Sequence, residues 1–381
     1  MSDLRELLQA RVEDGSVPGA VGIVATGDDV EVAVVGSVDF AGSAPMSRDS
    51  IFRIASITKP IAAAAVMILL DAGLIALDDP ISRWLPELAA PSVVRTRTSA
   101  LDDVVPAARP ITVFDLLTFR SGYGFPEDFS IPAVLRLFQE VHHADPRDPS
   151  TYPDPSTWLA NLAAVPMVGQ PGETWLYNTS SDIQGALVER VTGQSFADFL
   201  AERVFGPLGM VDTGFMVPKD KLDRLTTAYQ PGPDGKLEVF EDPPGHWDTL
   251  PKFQSGAGGL VSTADDWLRF GRMLLADGGD ILSAESVRLM TTDHLTAEQR
   301  AASTLFLEGQ GWGFGGSVDV ATIDPWNELG RYGWVGGTGT SVHVIPARDT
   351  VEVLLTQVSM TSPTPLPIMR EFWQYAAPRP R

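Results

Sequence analysis

The chain has 381 residues, 49 acidic against 28 basic, no cysteine and a formal net charge of −21. That length supports a full core and more than one structural layer, and the lack of cysteine excludes a disulfide framework, a thiol nucleophile and a cysteine zinc site. The negative charge repels nucleic acid and anionic membrane surfaces at long range, so neither is expected as a partner and a small neutral substrate suits the chain better.

Leu4, Leu7, Leu8 and Val12 fall at helical spacing and predict an amphipathic helix over 3–13 that packs on a sheet and closes at Asp14-Gly15. The start, Met1 to Glu6, lacks the basic residues and apolar core of a signal peptide, and a cytoplasmic location is expected from it. β-Branched runs at 20–26 and 30–35, separated by Gly27-Asp28-Asp29, read as a hairpin. Ile51 to Ile54 reads as a short strand delivering Ser56. The apolar run Ile61 to Leu70 continues as a helix ending at Gly73 and is too short to span a bilayer.

The segment from Leu77 to Leu85 has Trp84 and Leu85 as apolar anchors, and 91–110 reads as irregular. A helix at 111–117 is predicted with Thr112 as its cap and Asp115 in its first turn, broken by Ser121-Gly122-Tyr123-Gly124. Residues 145–155 read as a surface loop suited to a lid. No third ligand is spaced to join His142-His143, so they read as solvated helix residues rather than zinc ligands, and a metal reading of His246, His294 and His343 is discounted in the same way.

Tyr177 is placed on a loop that starts a helix carrying Ile183, Leu187, Val188 and Val191. A helix at 196–204 stops at Gly206-Pro207, a turn follows at 231–235, and a helix at 264–275 is capped by Ser262 or Thr263. Strands are expected at 318–323, 341–345 and 351–357, and a closing helix at 369–375. With strands at both ends and helices between, the chain reads as a mixed α/β (α+β) domain from residues 1–75 and 225–381. A mainly helical insertion at 76–224 interrupts it, with an active site between the two.

The chemistry centres on Ser56-Ile57-Thr58-Lys59. A serine hydroxyl attacks carbonyls poorly without a base beside it. With a helix starting near Ser56, Lys59 lies one turn on and projects from the same face. Unpaired N–H groups at the helix start favour an oxyanion, and burial by Ile54, Ile57 and Ala62 lowers the lysine pKa toward a usable base. Taken alone, the motif also fits a capping serine followed by an exposed lysine. Tyr177 supplies a proton donor for a leaving alcohol if a nearby lysine lowers its pKa; otherwise it packs at a helix start. In Trp334-Val335-Gly336-Gly337-Thr338-Gly339-Thr340, glycines let backbone approach a ligand, and the Gly337 N–H can pair with that of Ser56 around an oxyanion. A hairpin turn is the alternative there.

Taken together and in this order, Ser56-x-x-Lys59, Tyr177-Asn178-Thr179 and Trp334-Val335-Gly336 resemble the serine β-lactamase and penicillin-binding-protein superfamily, in particular its class C-like branch with the family VIII carboxylesterases. The resemblance runs over most of the chain, from Ile51 to Pro346. It implies an antiparallel sheet flanked by helices with an all-helical insertion. It also implies an acyl-enzyme on Ser56, Lys59 and Tyr177 as base and acid, an oxyanion hole of the Ser56 and Gly337 amides, substrate contacts from Tyr123, Thr179, Trp334 and Gly336, and no cofactor or metal.

Two departures set expectations. Thr179 stands where β-lactamases keep an asparagine, and Trp334 replaces the lysine that grips a substrate carboxylate by a charge-assisted bond. The expected activity is therefore a carboxylesterase on small to medium neutral esters. A β-lactamase, D-amino-acid peptidase, amidase or acyltransferase of the same superfamily is the alternative. Gly193-Gln194-Ser195-Phe196-Ala197 is close to a nucleophile elbow but ends in alanine and follows no strand, so Ser195 reads as a helix cap.

Overall fold

The computed structural model describes residues 3–145 and 148–378. Met1, Ser2, Pro146, Arg147 and 379–381 lie outside the described residues, and with them the very start of the chain and part of the expected loop at 145–155.

A seven-stranded antiparallel sheet organises the molecule. From one edge its strands are Asp29–Gly36, Gly19–Thr26, Thr350–Leu355, Thr340–Ile345, Tyr332–Gly336, Ser317–Val318 and Gly311–Trp312. The two ends of the chain meet where Val21 pairs with Leu355 and Ala25 with Val351. Alternation of side chains along each strand builds a core on both faces. Ala20, Ala33, Val35 and Leu354 face the helices Leu4–Glu13 and Pro367–Ala376. Val21, Ile23, Val342 and Val353 face the larger core, which holds the helices Lys59–Asp71 and Ala264–Leu275.

Caps fix the helix starts by taking amide protons that no helical carbonyl reaches. Asp3 accepts from the Glu6 amide, Thr112 and Asp115 form a reciprocal capping box, and Thr263 accepts from the Asp266 amide. Every residue from Lys59 to Leu69 is buried, so this helix is apolar all round and central rather than amphipathic.

Two expectations change. The 91–110 segment contains a short antiparallel pair, Ser92–Val94 with Val104–Pro106. The strand expected over 318–323 ends at Val318, because the Asp319 carboxylate turns inward to accept from Gln310 Nε2, Asn327 Nδ2 and the Glu328 amide. Among the described residues no helix is long and apolar enough to cross a membrane.

Candidate active site

Ser56 is held by backbone that belongs to distant parts of the chain. The strand Phe52–Arg53 pairs with Val261–Ser262, the Arg53 carbonyl accepts from Thr338 Oγ1 at 2.6 Å, and the Ile54 carbonyl accepts from Thr340 Oγ1 at 3.0 Å. The chain then makes one 3-10 turn, Ala55–Thr58, and the α-helix begins at Lys59 rather than at Ser56. Ala55 takes φ of 44°, a left-handed conformation that costs a residue with a Cβ and is held by its surroundings.

Lys59 is fully buried, and its Nζ lies 2.9 Å from Ser56 Oγ, 2.8 Å from Asn178 Oδ1 and 2.5 Å from the Ala257 carbonyl. The last two atoms only accept. In a neutral amine the two N–H bonds therefore go to Asn178 and Ala257, and the lone pair faces the serine hydroxyl. Burial lowers the lysine pKa to about 7 against the opposing pull of the Asp182 charge.

The Tyr177 hydroxyl accepts from Trp334 Nε1 at 2.7 Å and Tyr177 lines the cavity beside Ser56; Lys59 Nζ sits 4.6 Å from the phenol ring centre. Burial pushes the tyrosine pKa up to about 12, and the neighbouring Ser56 and Trp334 only partly offset it. This corrects the expectation that the lysine lowers it. Desolvation wins, so the phenol keeps its proton and serves as a donor.

A cavity of about 490 Å³ opens onto these groups, lined by Ser56, Tyr177, Asn178, Trp334 and Gly337 and walled by Phe125, Phe129, Phe138 and Phe306. Among the described residues that line it there is no lysine or arginine, and Asp145 is their one carboxylate. Phe306 stacks on Tyr177 with ring centres 4.8 Å apart.

Three expected substrate contacts do not reach the cavity lining. Tyr123 is 1% exposed, tucked into the core cluster. Thr179 is fully buried and its Oγ1 lies 2.9 Å from His142 Nε2. Gly336 packs instead against the segment before Ser56, where a Cβ would come within 2.4 Å of the Ile54 carbonyl oxygen. Trp334 does line the cavity, and its indole N–H makes it more than an apolar wall.

Asn178, missed in the sequence, supplies what Thr179 does not: a side chain at both Lys59 and the cavity, turned there by φ of 81°. An Asn before a helix that follows a loop is the only local hint, since asparagine tolerates positive φ better than most residues.

Of the two histidines expected to be solvated, His143 is exposed and His142 is not. His142 is buried between Thr179 and Tyr152, and desolvation lowers its pKa to about 3. His343 is buried beside Arg331, His294 bonds the Leu289 carbonyl, and His246 pairs with Glu241 at 3.0 Å. Among the described residues no group of His, Asp and Glu could hold a metal ion. Ser195 Oγ accepts from the Asp198 amide as a helix cap and lies outside the cavity lining.

A family model described as Beta-lactamase matches residues 4–365. Protein Rv1367c of Mycobacterium tuberculosis is 40% identical over 369 residues, 93% of this chain and 88% of that one. Esterase EstB of Burkholderia gladioli is 30% identical over 361 residues, 90% of this chain and 86% of that one. Among solved structures, "EstCE1, a hydrolase with promiscuous acyltransferase activity" superposes with a TM-score of 0.80 at 25% identity, covering 97% of this chain and 95% of its own.

Proposed function

The chain belongs to the β-lactamase family, and from that premise we propose that it is a carboxylesterase that cleaves small to medium neutral esters through an acyl-enzyme on Ser56. The observation that carries the reading is the contact between a buried, acceptor-clamped Lys59 and Ser56 Oγ at 2.9 Å, at the mouth of an aromatic cavity with no cationic side chain among the described residues that line it.

In the first half-reaction Lys59 takes the Ser56 proton as Oγ bonds to the ester carbonyl carbon, and the Ser56 and Gly337 amides hold the oxygen that becomes negative. The tetrahedral intermediate collapses with loss of the alkoxide, which takes a proton from the Tyr177 hydroxyl while the Lys59 ammonium restores the phenol. A phenol with its pKa near 12 fits this relay, since it gives a proton only as it receives one. In the second half-reaction water enters by the same path in reverse, releasing the acid and Ser56. No cofactor takes part in either step.

The aromatic walls favour apolar acyl groups, and a carboxylate on the substrate finds no cation to pair with among the described residues of the lining. Turnover of p-nitrophenyl butyrate, p-nitrophenyl hemisuccinate and nitrocefin compares a neutral ester, an anionic ester and an anionic β-lactam. The proposal expects the first to dominate in kcat/KM; efficient nitrocefin hydrolysis would replace the esterase with a β-lactamase. The promiscuous acyltransferase activity of EstCE1 supports a second activity, acyl transfer to an added alcohol, which appears as butyrate ester formed alongside butyric acid.

A further inference from the structure

Asp182 is a buried carboxylate that the relay above does not use. It lies in the first turn of the helix Thr179–Thr192, which packs against the helix that begins at Lys59, and it is 1% exposed. Its Oδ1 accepts from Ser255 Oγ at 2.6 Å and from the Ala257 amide at 3.1 Å. The carbonyl of that same Ala257 accepts from Lys59 Nζ at 2.5 Å. The peptide segment 255–257 is thus gripped at one end by a carboxylate and grips the lysine at the other. Gly256 makes the passage possible, because a Cβ there would lie 2.3 Å from the Ser181 carbonyl oxygen.

Asp182 Oδ2 has no hydrogen-bond partner. A buried carboxylate oxygen left bare is costly unless a nearby positive charge offsets it. The groups facing it are Lys59, His142, whose Nδ1 is 4.0 Å from Oδ2, and Tyr152, whose hydroxyl bonds His142 Nδ1. His142 is held neutral by burial and Tyr152 keeps its proton. The positive charge that answers Asp182 is therefore the ammonium of Lys59. That charge is present when the amine has taken the serine proton.

Resting on the esterase reading above, we propose that Asp182 is the positioning residue of this site, orienting Lys59 through the Ala257 carbonyl and stabilising the ammonium formed as Ser56 attacks. The arrangement gives a lysine base the third member that a nucleophile and its base require. It also resolves a conflict in the site. Full burial makes Lys59 neutral at rest but opposes the charge it must carry in the transition state, and the Asp182 carboxylate one segment away, its own pKa raised to about 6 by burial, lowers the second penalty where it is ionised. The two effects meet in a lysine pKa of about 7, near the optimum for a general base at neutral pH.

The experiment compares wild type with Asp182→Asn and Ser255→Ala across pH 5 to 10 on p-nitrophenyl butyrate, with thermal unfolding and circular dichroism run on each. Asparagine keeps an acceptor for Ser255 and Ala257 and removes only the charge. Without that anion the Lys59 pKa falls, so the acidic limb of kcat/KM moves to lower pH by roughly one unit or more. The plateau kcat also falls, by roughly tenfold or more, because the base is weaker and its ammonium unsupported. Ser255→Ala removes one donor from the carboxylate and raises its pKa, giving a smaller shift in the same direction.

A folded Asp182→Asn enzyme with an unmoved acidic limb and a plateau kcat within twofold of wild type would overturn the proposal, as would a limb that moves to higher pH. If Asp182→Asn does not fold, Ser255→Ala decides by the same limb. Failure of the esterase reading shows separately, as turnover that survives Ser56→Ala.

Discussion

The indole N–H of Trp334 points at the oxygen of Tyr177 over 2.7 Å. Because that bond occupies one lone pair, the phenol O–H is left to face Ser56, and the same donor steadies the oxygen while its proton is in transit. Trp334→Phe keeps the aromatic wall and removes the bond. At about 1–1.5 kcal/mol for one such hydrogen bond, kcat on p-nitrophenyl butyrate is expected to fall roughly tenfold with KM little changed. A rise in KM with kcat intact would instead make the tryptophan a binding wall only.

Lys59 must be neutral to accept the serine proton, and its pKa is lowered to about 7. The sign follows directly: below that value the lysine is protonated and inactive, above it the amine is free. A plot of log kcat/KM against pH should rise and bend near 7, steepening below about 6 where Asp182 also takes a proton, with no descending limb before Tyr177 ionises near 12 or the protein unfolds. An acidic limb bending near 4 would assign the base to a carboxylate.

Two adjacent glycines should respond in opposite ways. A methyl on Gly336 would lie 2.1 Å from Thr340 Oγ1 and 2.4 Å from the Ile54 carbonyl oxygen, whereas one on Gly337 meets nothing within 4 Å. Gly336→Ala must push the hairpin off the segment carrying Ser56, separating the two oxyanion donors. A loss of stability of about 1–3 kcal/mol and of kcat by roughly a hundredfold is expected. Gly337→Ala should unfold at nearly the wild-type denaturant midpoint. Equal effects at the two positions would contradict this placement of the hairpin.

His142 joins the Tyr152 hydroxyl to the Thr179 hydroxyl at 2.8 and 2.9 Å in a fully buried position. His142→Ala leaves a cavity and two unpaired hydroxyls, with an expected loss of about 2–4 kcal/mol in unfolding free energy by urea titration. His142→Gln, which can bond both, should recover part of it. A loss under about 0.5 kcal/mol for the alanine variant would mean the site is solvated after all.

How much of this was legible depended on how far apart the partners stand in the chain. Ser56 and Lys59 are one turn apart, so their spacing alone suggests the contact that the structure holds at 2.9 Å. The caps at Thr112 and Thr263 are local in the same way. Asn178 and Asp182 were not legible, because each meets Lys59 or its clamp only after the helix at 179–192 packs against the one at 59–71. Thr179 and Tyr123 show the same limit from the other side. A hydroxyl beside a motif says nothing about which way the backbone turns it, and φ of 81° at Asn178 turns Thr179 inward. The run at 318–323 has strand-like residues, but the inward carboxylate of Asp319 bonds three distant donors and ends the strand.

The central claim is that acyl transfer passes through Ser56, and peptide mapping tests it most directly. Wild type, Ser56→Ala, Lys59→Ala and Ser195→Ala are each mixed with p-nitrophenyl butyrate, quenched in acid within the first turnovers and digested for mass spectrometry. A butyryl group on the peptide containing Ser56 is predicted in wild type and Ser195→Ala, with none in Ser56→Ala and strongly slowed labelling in Lys59→Ala. Ester turnover persisting in Ser56→Ala, or the butyryl group found on any other residue, would contradict the account.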